Sequence, residues 1–150
     1  MKTNIVAALL LGMAVNVAAA TASAQSAACP PSGGLNFICG IKAPEDLVLV
    51  PGTRWLIASG MEAGSGLHLV DTQAKTARSL FGSTVSAARA DKTRFAQCPG
   101  PLDPKQAILH GLSLRPAAGG RYTLYATNHG GRESIEVFDL DPRGAAPTAT

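Results

Sequence analysis

The chain has 150 residues, with 13 Lys and Arg against 10 Asp and Glu, for a formal net charge of +3 at pH 7. Its basic residues are scattered and only 5% of residues are aromatic. That disfavours nucleic-acid binding, which needs clustered positive charge and stacking surfaces.

The first predicted element is an export signal. Lys2 gives a short positive start, residues 5–20 are apolar and uncharged, and Ala22-Ser23-Ala24 is a small-x-small cleavage site preceding Gln25. Residues 1–24 therefore read as a secretory signal peptide. A membrane anchor, the alternative, needs about 20 apolar residues, and the clean apolar part is shorter. No later stretch is long enough to span. The mature protein is expected to be secreted or periplasmic, with no stable membrane span after cleavage.

Export implies an oxidising compartment, where disulfides are expected. Cys29, Cys39 and Cys98 are the three cysteines. An odd count leaves one thiol free or paired with sequence beyond this chain. Zinc is a poor alternative, because there is no Cys-x-x-Cys and no nearby His pair.

Residues 25–40 are small, polar and proline-containing, and read as an irregular leader. Strand-like segments follow at residues 47–50, 55–58, 67–70 and 76–81. Residues 82–107 are polar and proline-rich and read as a long loop. Strands resume at 112–114, 122–127 and 134–140. No segment sustains a helical period, so the predicted fold class is all-β.

An internal repeat organises these strands. Leu47-Val-Leu-Val-Pro51 matches Leu112-Ser-Leu-Arg-Pro116, Leu56-Ile-Ala-Ser59 matches Leu124-Tyr-Ala-Thr127, and Leu67-His-Leu-Val-Asp71 matches Ile135-Glu-Val-Phe-Asp139. The offset is 65 in the first segment and 68 in the others. Residues 41–150 then read as two blades of a β-propeller, or as two ordinary meanders that are alike by chance. Closed propellers have about 4–8 blades, so two blades imply an incomplete chain.

The repeat places Glu45 and His110 at equivalent positions, each two residues before the first apolar strand residue. Both sit at one mouth of a central channel, or are simply solvated strand starts. His129 is placed beside His110 by antiparallel pairing across residues 117–120, unless it is an ordinary loop histidine. Two histidines at one rim suit proton shuttling, or a metal site with further ligands. Glu45-Asp46 offers hard oxygen donors of the kind calcium takes, although such a pair is usually solvated surface. His68 reads as an ordinary exposed strand residue.

Pro44-Glu-Asp-Leu47 with Trp55-Leu-Ile-Ala-Ser-Gly60, and His110-Gly-Leu-Ser113 with Leu124-Tyr-Ala-Thr-Asn-His129 and Ser134-Ile-Glu-Val-Phe138, resemble the first two blades of the paraoxonase/arylesterase family. The resemblance covers residues 41–141, with gluconolactonase-like and strictosidine-synthase-like propellers as more distant relatives. It implies a six-bladed propeller with two calcium ions, acting on lactones and aryl esters. It implies Glu45 as a ligand of a catalytic calcium, and Asp46 with the Leu112 carbonyl as ligands of a structural one. His110 is implied as general base and His129 as its partner. Gly130 departs from the proline that usually follows the family's Asn-His pair. Cys39 falls near a family cysteine that bridges to the C-terminus, at a shorter spacing from Glu45. The expected function is a secreted calcium-dependent lactone or ester hydrolase; the alternative is a non-catalytic propeller that binds a partner or small ligand.

Overall fold

Short apolar runs, punctuated by turns at Gly52, Gly64 and Gly119–Gly120, favour antiparallel strands joined by tight connections. The computed structural model describes residues 29–81, 92–94 and 96–150. The signal peptide, residues 25–28 of the leader and most of the first half of the 82–107 loop lie outside the described residues. The strands are β1 (Pro44–Leu49), β2 (Trp55–Gly60), β3 (Gly66–Asp71), β4 (Thr76–Phe81), β5 (Leu109–Pro116), β6 (Tyr122–Asn128), β7 (Ser134–Asp141) and β8 (Thr148–Ala149). They form two open four-stranded antiparallel sheets, each in sequential order. The fold is all-β, and no helix among the described residues is long and apolar enough to cross a membrane.

The internal repeat is a repeat of register. Pro44 pairs with Gly60 and Leu47 with Ala58; Leu109 pairs with Asn128 and Leu112 with Ala126. These are the same pairs displaced by 65 on the first strand and 68 on the second. In each sheet two residues of the first strand face one residue of the second, which is a β-bulge. Glu45-Asp46 face Ser59, and His110-Gly111 face Thr127. Bulges re-aim side chains and disrupt regular alternation. That is why β1 and β5 each begin three residues before the apolar runs that announce them.

The sheets pack face to face, most closely along β1 and β5. Ile57, Leu67 and Leu69 from one sheet and Leu109, Leu124 and Leu140 from the other are fully buried. Each such side chain contributes roughly 1.5–3 kcal/mol of transfer free energy. The leader covers part of the first sheet's other face, where Ile38 and Ile41 pack on Ala58, Val70 and Ala77. Cys29 and Cys39 form a disulfide that closes this leader into a loop. Cys39 is thus paired locally, in place of the family-like bridge to the C-terminus. Cys98 is the free thiol among the described cysteines.

The described part of the long loop carries no strand or helix, as expected, and one further expectation is corrected. The second half of the long loop is a packed strap: Leu102, Pro104 and Ala107 are buried, and the Gly64 amide donates to the Ala107 carbonyl at 2.9 Å. Its apolar residues are too few and too irregularly spaced to stand out among prolines. His68 is half-buried, where an exposed side chain was expected, with Nε2 3.3 Å from Ser65 Oγ. The cause is the leader, which folds over that face of the sheet.

Desolvation holds the His68 imidazole below its ordinary range, with a Ser65 backbone hydrogen bond acting in the opposite direction. The unfolded chain therefore binds this proton more readily than the folded one. Stability should be full above about pH 6.5 and fall as pH drops below it, towards the lowered folded value. Thermal unfolding between about pH 7.5 and pH 5 should show that decline, and His68→Gln should flatten it. An unchanged decline in the variant would assign it to other groups.

Candidate functional site

The two bulges lie at the same end of their sheets and are joined directly. Asp46 Oδ2 accepts the Leu112 amide at 2.7 Å, and Oδ1 accepts the Leu47 amide at 2.7 Å. Ser59, opposite the first bulge, accepts the Asp46 amide at 3.0 Å. Asp46 is therefore the polar link between the first strands of the two sheets. Its contact with Leu112 is through the Leu112 nitrogen. Glu45, its bulge partner, is exposed, and its carboxylate makes no hydrogen bond among the described residues.

His110 occupies the second bulge, and His129 follows the end of β6. Their rings meet edge to face, with centroids 4.5 Å apart and planes at 86°. The structure thus brings His110 and His129 together and ties their strand to the carboxylate-bearing bulge.

What holds His129 there is mostly backbone and one amide side chain. The His129 amide donates to the Ile108 carbonyl at 3.0 Å. Asn128 is fully buried. Its Oδ1 accepts the Ile108 amide at 3.1 Å and the Gly130 amide at 3.2 Å. Its Nδ2 donates to the Gly130 and Arg132 carbonyls at 2.9 and 2.7 Å. A buried amide with both ends satisfied fixes the loop around it. Gly130 is required by the same packing, since a Cβ there would overlap the Gln106 carbonyl oxygen and sit 2.7 Å from the Ile108 nitrogen.

Two charged neighbours of the histidine pair were missed by sequence reasoning. Glu133 Oε2 lies 2.6 Å from His129 Nδ1. Arg132 makes an ion pair with Glu136, Nε to Oε1 at 2.9 Å and Nη2 to Oε2 at 2.9 Å, and donates to the Gly100 carbonyl at 2.6 Å. The signal available was an Arg-Glu step closely following the Asn-His pair. It carried no weight without knowing that the loop turns back on itself at Gly131, where φ is +71°.

By donor type, Glu45 and Asp46 fit calcium: both offer carboxylate oxygens, and each Asp46 oxygen keeps a lone pair beyond its amide bond. They are two groups where calcium takes six to eight oxygens. Among the described residues, no cluster of three or more His, Cys, Asp and Glu side chains forms a metal site. A concavity of about 620 Å³, wide open, lies at the opposite rim, lined by Arg54, Trp55, Gln73 and Pro142 among others. Its cation is engaged, because Arg54 Nε donates to Asp71 Oδ2 at 2.9 Å. Comparison with known proteins returns no match to the chain, whether among family models, curated proteins or solved structures.

Proposed function

We propose that the chain is part of an exported, calcium-dependent β-propeller hydrolase of lactones or aryl esters. The observation that carries this reading is the His110–His129 ring contact, set on the bulge next to the one that bears Glu45 and Asp46. Two imidazoles in contact at a sheet rim suit proton transfer, and two adjacent carboxylates at the neighbouring strand start are hard-cation donors.

Further blades are part of the proposal. A complete two-sheet sandwich normally presents polar outer faces. Here Leu47 and Leu49 are 59% and 54% exposed on the outer side of one sheet, and Ile135 and Val137 are each 59% exposed on the outer side of the other. Apolar residues on both outer faces suit sheets that continue the stack on either side.

In this mechanism Glu45 would hold part of the shell of a catalytic calcium, and Asp46 part of the shell of a structural one. Bound calcium would polarise the ester carbonyl and favour the developing oxyanion. His110 removes a proton from the attacking water, and His129 supports it. Asn128 and the strap at residues 106–108 hold His129 in place, so the pair is preorganised before substrate arrives.

The test is calcium titration with a lactone and aryl-ester assay. The 150-residue chain should bind calcium weakly and turn over little substrate. A form extended past Thr150 by the proposed further blades should bind calcium firmly and turn substrate over. Calcium-dependent turnover by the short chain would remove the need for further blades. An extended, calcium-loaded form inactive across a broad lactone and ester panel would favour a ligand-binding propeller.

A further inference from the structure

We propose that Glu133 is the positioning residue that decides which nitrogen of His129 carries its proton, and so sets the direction in which the His110–His129 pair moves a proton. The inference about direction rests on the hydrolase reading above; the inference about the tautomer rests on geometry alone.

His129 Nδ1 lies 2.6 Å from Glu133 Oε2. An ionised carboxylate can only accept a hydrogen bond. The hydrogen between them therefore belongs to Nδ1. A neutral imidazole carries one hydrogen, so Nε2 of His129 is left with a bare lone pair. An unrestrained histidine side chain favours the other tautomer, with the hydrogen on Nε2. Glu133 reverses that preference.

The placement of Glu133 is built into the loop. Asn128 Nδ2 holds the Arg132 carbonyl at 2.7 Å. The Arg132 guanidinium is fixed by Glu136 and by the Gly100 carbonyl. Gly131, at φ +71°, supplies the left-handed turn between these anchors. Glu133 follows directly, and its carboxylate reaches back to the histidine four residues earlier.

The two rings meet edge to face, with no nitrogen-to-nitrogen hydrogen bond between them, so a proton passes only when the rings turn; with Nε2 bare, His129 then accepts and His110 donates. When His110 passes a hydrogen towards His129, its other nitrogen is free to take a proton from water. The balance is simple. The water O–H bond breaks as its oxygen bonds to the ester carbon, and the proton goes to His110. When the ester C–O bond breaks, that proton is returned to the leaving oxygen. His129, held by Glu133, carries the compensating proton in between. The opposite tautomer would present two donors to one another and stop this path.

The experiment is nitrogen NMR of the histidine rings in the intact chain at about pH 8, above the ordinary range of histidine in general. Three histidines make the spectrum tractable. Wild type should show His129 as the Nδ1–H tautomer. Glu133→Gln keeps an accepting oxygen and should keep that tautomer. Glu133→Ala should revert to Nε2–H with the fold intact. The His129 and Glu133 side chains are 44% and 76% exposed, so the contact is modest. In an assay of the extended form, Glu133→Ala should lower kcat about 3- to 10-fold with KM unchanged, and Glu133→Gln should stay near wild type. A wild-type Nε2–H tautomer, or no change in Glu133→Ala, overturns the proposal. Unchanged kcat in an active enzyme overturns its directional part. Absence of any turnover by wild type with calcium sinks the hydrolase reading instead, and the NMR result still decides the role of Glu133.

Discussion

Gly130→Ala is expected to destabilise the protein by roughly 3–5 kcal/mol, a large part of the ~5–15 kcal/mol that holds a typical domain together. The new methyl group would overlap the Gln106 carbonyl oxygen, and the Ile108 nitrogen is only 2.7 Å away. Both obstacles are backbone, so no rotamer change relieves them. The strap must move off the loop, at about 1–3 kcal/mol for overpacking. Moving it also lengthens the Ile108–Asn128 and His129–Ile108 hydrogen bonds, now 3.1 and 3.0 Å. Each contributes about 1 kcal/mol, and a buried amide left unpaired costs about 1–3 more. Gly111→Ala is the control, because a Cβ there meets only Thr127 Oγ1 at 3.9 Å. Urea unfolding of the two variants should separate them clearly; equal midpoints would mean that the strap yields freely.

This contrast shows what the sequence could and could not reveal. The glycine of the His-Gly-Leu-Ser motif drew notice because it belonged to a pattern, yet it has room for a side chain. The glycine after Asn-His looked like a mere departure from a family pattern, yet it is the one that packing demands. A contact between residues 106 and 130 is invisible to local pattern. The pairing of strands was legible for the opposite reason: alternating apolar residues repeated at offsets of 65 on the first strand and 68 on the others, and register follows alternation. The bulges were hidden because they interrupt alternation, so Glu45, Asp46 and His110 appeared to precede strands that in fact contain them. The His110–His129 contact followed from antiparallel pairing alone. Asn128, Arg132 and Glu133 did not, since their roles depend on a loop whose course is set by side-chain hydrogen bonds to backbone. The burial of His68 was equally hidden, because the leader that covers it has no strand or helix period.

In an extended, calcium-loaded form, His110→Gln is expected to lower kcat by about 10²- to 10⁴-fold with little change in KM, the range ordinarily lost with a general base. The side chain is half-exposed at a bulge, so its replacement should leave the core and the unfolding midpoint nearly unchanged. On the proposed mechanism His129→Gln should cost less, because its imidazole would act through His110. Its backbone tie to the Ile108 carbonyl, 3.0 Å long, survives the change, so the loop should keep its course. The double variant is the informative one. Residues that act as a unit are strongly non-additive. Once His110 is gone, His129 has no proton to receive, and its loss should add almost nothing. Measured side by side, the double variant should match His110→Gln within about twofold, against a product of the two single losses if the histidines acted independently. Multiplicative losses would break the relay into separate contributions. Losses that tracked a falling unfolding midpoint would assign both histidines to the packing of the rim.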